Sequence, residues 1–321
     1  MVAVMRRDVS KARSFAKNHN VERVYGTAKD LIHDETVDCV YVATPPGGSR
    51  VEIAREIVKS GKPCYMEKPL ARDATEAQEI ASLFAKAGLP LYCAYYRRCL
   101  PKFDAVRRNL GLIGPLTSVA VTLHWPRHLE DKSHWHYDRP VSGGGLLLDV
   151  GCHALDLVDY LVGPLEDCRG VAVRSVADQG WIPGRMDVED NVRGWWAHRK
   201  DGRQILGSCS FNFCSPREDE LYREGKRDEI RIEGLDGSLS FSCFDKEPPR
   251  LQTTSGSNTT VRFLHAEEPQ HVHQPMVQDI VNELRSINES PRLCSGEDAV
   301  RTSRVMDQLL NARERWDDDY V

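Results

Sequence analysis

Residues 37–69 read VDCVYVATPPGGSRVEIAREIVKSGKPCYMEKP, and the order of elements in this stretch decides the fold. Val37–Ala43 is a continuous apolar run, the kind that a strand buried on both faces of a parallel sheet requires. Pro45-Pro46-Gly47-Gly48 then breaks the chain. Arg50–Lys59 repeats at helical spacing, and Gly61 supplies its C-terminal stop. A second short strand is predicted at Pro63–Met66. Strand, helix and strand in about thirty residues make a βαβ unit, whose crossover is right-handed.

The alternation continues in both directions. Upstream, Val2–Val4 is a short β-branched run. Asp8–His19 reads as an amphipathic helix with Ala12, Phe15 and Ala16 on one face, and Ala28–His33 as a second short helix. Downstream, Ala74–Ala87 is a helix closed by Gly88, and Leu89–Ala94 another strand. Residues 1–96 are therefore expected to form an α/β unit with a doubly wound, Rossmann-type sheet. After Tyr95 the pattern changes. Residues 97–110 look helical. Leu116–His124, Arg169–Val176, Asn191–His198, Gln204–Asn212, Glu229–Glu233, Ser238–Cys243 and Val261–His265 alternate as antiparallel strands do, with Asp201-Gly202 and Asp236-Gly237 as turns. Thr253–Thr260 reads as a loop, and two helices close the chain at about 273–287 and 296–315. Residues 97–321 are expected to be a second α/β domain with a mostly antiparallel, open sheet.

Composition narrows the function. Hydrophobic residues make up 40% of the 321 and charged residues 28%, as in soluble globular proteins. A net charge of -5, from 43 Lys+Arg against 48 Asp+Glu, gives no basic footprint for nucleic acid or an anionic membrane. No apolar run approaches the roughly 20 residues that cross a bilayer. The N-terminus has no signal-peptide layout. There are ten cysteines and no CxxC pair, and Cys39, Cys64, Cys93, Cys152 and Cys209 sit in apolar runs. That usage points to buried thiols in the reducing cytoplasm. His134 and His136, or His271 and His273, lack a partner cluster for zinc, so no metal is expected.

Residues 142–163, SGGGLLLDVGCHALDLVDYLVG, carry the first chemical signal. From Leu146 to Val162 the predicted helix is apolar nearly all round. Its polar exceptions Asp149, His153, Asp156 and Tyr160, spaced by 4, 3 and 4, fall on one stripe. Asp159 lies off it. A carboxylate and an imidazole on a buried helix must be paired or face a cavity. A structural pair is one reading. The length of the stripe, and a Gly-Gly-Gly lead-in that lets backbone or ligand approach closely, favour a site. Glu67-Lys68-Pro69 follows a strand at its carboxyl end, where ligands bind to open α/β sheets. Thr44-Pro45-Pro46 has the same placement.

Taken in order, VDCVYVATPP, GKPCYMEKPLA, PLYCAYYRRCLPKF, IGPL, SGGGLLLDVGCHALD and GEDAVRTSRVMDQLL resemble the glucose–fructose oxidoreductase / inositol dehydrogenase (Gfo/Idh/MocA) family over essentially the whole chain. The resemblance implies hydride transfer between a nicotinamide cofactor and a hydroxyl or carbonyl of a sugar, cyclitol or related polyol. A homodimer or higher oligomer joined through the open sheet face goes with it. By the same resemblance Lys68 holds the reacting oxygen, Asp149 and His153 are an Asp-x-x-x-His pair with His153 moving the proton, and the Lys68–Pro69 bond is cis. Thr44, Pro45, Glu67, Lys68 and Arg97 would line the nicotinamide and ribose part of the cleft. Arg6 and Arg7, after Val2–Val4, stand where such enzymes read the adenosine ribose. Arginines there favour a 2′-phosphate and hence NADP, with NAD possible.

Two features depart from the family pattern. Its opening strand and Gly-x-Gly-x-x-Gly turn are not found here, and Gly143–Gly145 is no substitute. The chain is expected to start at the fold's second strand, leaving Val2–Val4 and Val37–Ala43 without the partner between them. Weak cofactor binding, and lower stability than a form extended upstream by about 30 residues, would follow. The tryptophan usually followed by arginine is Trp135-His136, in one of the loops (124–141 and 177–190) expected to shape the substrate pocket. The rival readings are a non-catalytic, cofactor-sensing or scaffold relative, and an inactive truncated product.

Overall fold

The structure, a computed structural model, describes residues 1–126, 135–174, 188–200, 202–215, 227–287 and 290–310. Parts of the loops 124–141 and 177–190, His134, Asp201 and residues 311–315 of the last predicted helix lie outside these ranges.

The N-terminal part runs β1 (Ala3–Met5), α1 (Val9–His19), β2 (Arg23–Tyr25), α2 (Ala28–Ile32), β3 (Val40–Val42), α3 (Arg50–Lys59), β4 (Cys64–Met66), α4 (Ala74–Ala87) and β5 (Leu91–Cys93). The helices start where the sequence offers an acceptor for their free N–H groups. Asp8 accepts from Ser10 and Lys11, Thr27 from Asp30, and Asp73 from Glu76. All strand pairs here are parallel, but they form two sheets, β1-β2 and β3-β4-β5, with no ladder from β1 to β3. This is the separation expected from the sequence. The strand predicted over Val37–Ala43 is confined to Val40–Val42. Val37 is apolar because it is buried in the turn before the strand, where its N–H bonds Asp34 O at 3.0 Å.

Tyr41, Tyr65 and Tyr92 stand side by side in the register of β3-β4-β5 and share one face. A helix from the far end of the chain, α8 (Gln274–Leu284), meets that face. The Tyr65 hydroxyl is 2.9 Å from His273 Nδ1, and the Tyr92 hydroxyl donates to Glu283 at 2.8 Å.

The C-terminal part begins with a short 3-10 turn (Tyr96–Cys99) and α5 (Pro101–Asn109). Then come β6 (Leu116–Pro126), α6 (Arg139–Ser142), α7 (Cys152–Val162), β7 (Glu166–Val173), β8 (Asn191–Lys200) and β9 (Arg203–Ser215). The rest is β10 (Arg227–Gly234), β11 (Gly237–Phe241), β12 (Arg250–Ser255), β13 (Asn258–Phe263), α8 and α9 (Gly296–Leu310). Among the described residues the sheet has the order β13-β12-β11-β10-β6-β9-β8-β7. One face buries Val119, Val121, Leu123, Phe211, Ile230 and Ile232. Phe103 of α5 packs on Phe241, and Leu309 of α9 lies over Gly170 and Gly194. The other face exposes Val171, Trp195 and Leu206.

Four expectations are corrected. Leu116–His124 was expected to pair as an antiparallel strand. It does so with β10, but β6 pairs parallel with β9. Alternation reports burial on one face, which either kind of pair produces. Thr253–Thr260 is not a loop but the centre of the β12–β13 hairpin, turning at Gly256. Thr254, Thr259 and Thr260 are exposed, so the apolar alternation that marks a strand is lacking. For the same reason the strand read at Val261–His265 starts earlier, at Asn258. The helix predicted from Leu146 opens with a π-turn, Leu147–Gly151, and becomes α-helical only at Cys152.

Candidate active site

The π-turn sets the phase of everything near it. A stripe at spacings of 4, 3 and 4 assumes 3.6 residues per turn, and a π-turn holds more. The four polar residues consequently divide. Asp149 turns toward the N-terminal part and His153 lies among aromatic rings. Asp156 goes to Arg98, accepting from Nη2 at 2.7 Å and from Nε at 2.9 Å in a fully buried pair. The Tyr160 ring carries the Arg98 guanidinium at 5.4 Å. The glycine run before the turn admits backbone. A Cβ on Gly143, where φ is +84°, would meet Arg72 O at 2.4 Å, and one on Gly145 would meet Glu189 O at 2.4 Å.

Lys68 projects from the end of β4 onto this turn. Its Nζ donates to Asp149 O and to Asp149 Oδ1, both at 2.7 Å, and the Lys68–Pro69 bond is cis. Burial disfavours the ammonium, but Cys152 and Asp149 outweigh it and hold Lys68 above its ordinary pKa. Beside it, Glu67 accepts from the Lys68 N–H at 3.2 Å and from the Tyr41 hydroxyl at 2.5 Å. His153 is buried, with its ring edge-on to Tyr95, Tyr96 and Phe244 at 5.3–6.0 Å between centroids. Burial, and then the charges of Arg97, Lys68 and His273, push its pKa well below the usual imidazole range. Arg97 lies over the Phe244 ring at 4.1 Å and donates from Nε to Cys243 O at 3.0 Å.

The structure thus gathers Lys68, Asp149, Glu67, His153 and Arg97 in one cleft at the carboxyl ends of β3 and β4. Thr44 and Pro45 follow β3 in the same place, whereas Arg6 and Arg7 stand exposed at the carboxyl end of β1. Three atoms of this group, Thr44 Oγ1, Arg97 Nη1 and His153 Nδ1, are buried without a hydrogen-bond partner among the described residues. Such atoms cost free energy unless a polar ligand meets them, so the cleft suits a ligand rich in hydroxyl and amide groups.

Sequence reasoning missed Arg50. It opens α3, is 2% exposed, and donates to Thr44 O (3.1 Å), Glu67 O (2.6 Å), Leu70 O (3.2 Å) and Pro69 O. One guanidinium therefore ties the loop after β3 to the loop that carries Lys68. The available signal was an arginine in the first turn of a helix, where the dipole disfavours a cation. His273 was also missed. Its ring lies 4.4 Å from that of Tyr96 and its Nε2 is 3.9 Å from Glu67 Oε1, so the segment before α8 returns to the cleft.

Comparison with known proteins shows the family. Residues 1–95 match the family "Oxidoreductase family, NAD-binding Rossmann fold", and residues 108–240 match the "GFO/IDH/MocA C-terminal domain". The chain belongs to the Gfo/Idh/MocA oxidoreductase family. It is 30% identical over 313 residues to Oxidoreductase P35 of Formosa agariphila, covering 96% of this chain and 89% of that one. It is 31% identical to the trans-1,2-dihydrobenzene-1,2-diol dehydrogenase of Xenopus tropicalis, covering 97% and 88%. Among solved structures, levoglucosan dehydrogenase in complex with NADH and levoglucosan superposes with a TM-score of 0.83 at 19% identity, covering 98% of this chain and 88% of that one. Aldose–aldose oxidoreductase from Caulobacter crescentus does so with 0.80 at 20% identity, covering 98% and 90%. At these identities the structural likeness speaks for the fold. As a Gfo/Idh/MocA protein the chain is an oxidoreductase with a nicotinamide-binding N-terminal domain.

Proposed function

We propose that this protein is an NADP-linked dehydrogenase of a sugar, cyclitol or related polyol. The observation that carries the reading is the Lys68–Asp149 pair. A lysine ammonium has three N–H donors, and here two are committed to Asp149. The third is left to hold one oxygen of a substrate. As a hydroxyl becomes a carbonyl, charge develops on that oxygen, and a fixed cation in a half-buried cleft stabilises it. Asp149 aims Lys68 and keeps it charged. His153, held neutral by its surroundings, is the proton-transfer group that the resemblance assigns.

When bound, the nicotinamide supplies the redox chemistry by accepting the hydride. Thr44, Pro45, Glu67, Lys68 and Arg97 would hold its ring and ribose. The unpartnered Thr44 Oγ1 and Arg97 Nη1 fit a ligand with amide and hydroxyl groups. The preference for NADP rests on Arg6 and Arg7. The neighbouring acid Asp8 accepts from Ser10 and Lys11 in capping α1, and Arg6 and Arg7 are exposed cations at the end of β1. Val171, Trp195 and Leu206 on the open sheet face support a homodimer, and ten free thiols suit the cytoplasm.

The test is a panel of polyols, anhydrosugars, aldoses and vicinal diols, each with NADP+ and with NAD+, read by the appearance of reduced nicotinamide. Turnover with at least one polyhydroxylated substrate is expected. Cofactor binding with no turnover across the panel would indicate a sensing role instead.

A further inference from the structure

His136 takes no part in the mechanism above, yet it faces the central carboxylate. It sits in a 3-10 turn, Trp135–Tyr137, between β6 and α6, with 24% of its side chain exposed. Its Nε2 is 3.6 Å from Asp149 Oδ2, while Oδ1 of the same carboxylate accepts from Lys68. The Trp135 ring lies 3.8 Å from the His136 ring, between centroids. Asp149 therefore stands between two nitrogens, one from each lobe of the molecule. His153 is placed quite differently. It is 4% exposed, and among the described residues no carboxylate is found to act on it and its buried Nδ1 has no hydrogen-bond partner.

Oxidising one hydroxyl to a carbonyl releases one proton for each hydride given up, and that proton must reach water. We infer that in this chain it leaves through Lys68, Asp149 and His136. The O–H bond breaks as the carbonyl forms. Lys68 passes a proton to Asp149, which gives one to His136 Nε2, and the amine so formed takes the proton of the breaking O–H bond. Lys68 and Asp149 end with the charges they began with, and the imidazolium sheds the proton to solvent. The carboxylate beside it stabilises the charged ring, as an orienting acid does for a catalytic histidine. The inference rests on the dehydrogenase reading and moves the proton's exit from His153 to His136. His136 is thus a positioning and relay residue that acts through Asp149.

The decisive variants are His136→Gln and His153→Gln in the full chain, assayed with the best substrate of the panel across the imidazole titration range. His136→Gln should lower kcat by about tenfold or more, lose the imidazole limb of the pH profile, and leave KM and cofactor affinity unchanged. Imidazole added to the buffer should restore turnover, which a merely structural defect would not allow. Wild-type kcat and pH profile in His136→Gln would overturn the relay. So would loss of that limb in His153→Gln alone. A readout without turnover tests the pairing itself. The ring-proton NMR signals of His136 should shift in Asp149→Asn, and unmoved signals would overturn it. If the wild-type chain turns over nothing in the panel, the dehydrogenase reading fails, and the NMR result still decides the pairing.

Discussion

Two cation–carboxylate pairs lie less than two turns apart on the segment from Leu147 to Val162, and they are built for opposite purposes. Arg98 and Asp156 are 4% and 1% exposed at their side chains and bonded through a bidentate fork. Around them Asp159 and Asp298 approach Arg98 at 3.6 and 3.5 Å, and Arg301 bonds both. This pair is closed, with its donors and acceptors spent inside the protein. Lys68 and Asp149 are 16% and 26% exposed, keep one ammonium proton uncommitted, and stand in the cleft. The difference lies in residue choice. A guanidinium presents a planar fork that a carboxylate can saturate, whereas an ammonium is a point charge with a donor to spare.

The comparison breaks most visibly at the closed pair. Asp156→Ala would leave Arg98 buried beside an empty half of its fork, and removing one partner of such a pair costs about 3–5 kcal/mol. We expect a large fall in thermal midpoint and in urea midpoint. An unchanged midpoint would mean that Asp159 and Asp298 take over Arg98 completely.

At the open pair the effect should fall on turnover. Lys68→Ala should reduce kcat by roughly 100-fold or more, about 2.7 kcal/mol of transition-state stabilisation, with cofactor binding retained. Its thermal midpoint should fall less than that of Asp156→Ala, because Asp149 keeps access to solvent whereas Arg98 does not. If Lys68→Ala loses stability as Asp156→Ala does, the two pairs are alike and the contrast fails.

A smaller effect is expected where no partner is spent at all. Arg6 and Arg7 are exposed. Replacing both with Gln should weaken NADPH binding about tenfold more than NADH binding, from charge-assisted contacts of about 1.5–3 kcal/mol each less the cost of solvent competition. Equal weakening, measured by fluorescence titration, would place them outside the cofactor site.

How much of this was legible follows from the same physics. The N-terminal βαβ order was readable because strand runs, caps and glycine stops are local, and α3 and α4 fall over the residues expected, Arg50–Lys59 and Ala74–Ala87. Lys68 and Asp149 were readable as members of a motif, but their contact spans 81 residues and no periodicity encodes it. The π-turn was hidden because Leu147–Gly151 has the composition of any buried helix. Asp156 read as part of a site because a polar stripe does not reveal whether its partners are protein or ligand. Only the fold supplies Arg98, which the sequence reading passed over beside Arg97.

The weakest effect tests whether its surroundings hold His153 neutral. Four described histidines have pKa values pushed down, each first by burial: His124, His153, His198 and His273. His198 is the closed counterpart of His153. Its Nε2 accepts from Trp196 at 2.7 Å and its Nδ1 faces two backbone carbonyls at 3.0 Å, so it is satisfied as a neutral ring. A histidine whose folded pKa is depressed takes up its proton more readily in the unfolded chain. Its contribution to stability is present above the unfolded value near 6.5 and is lost as pH falls below it, by up to about 1.4 kcal/mol per pH unit for each group. Wild-type stability should therefore decline from neutral pH toward pH 5. Phenylalanine in place of His153 removes one of these groups, so His153→Phe should decline less steeply whatever its stability at neutral pH. Urea unfolding at several pH values gives both slopes. Parallel curves would mean that His153 takes a proton in the folded protein as easily as in the unfolded one. The aromatic enclosure would then not be holding the ring neutral.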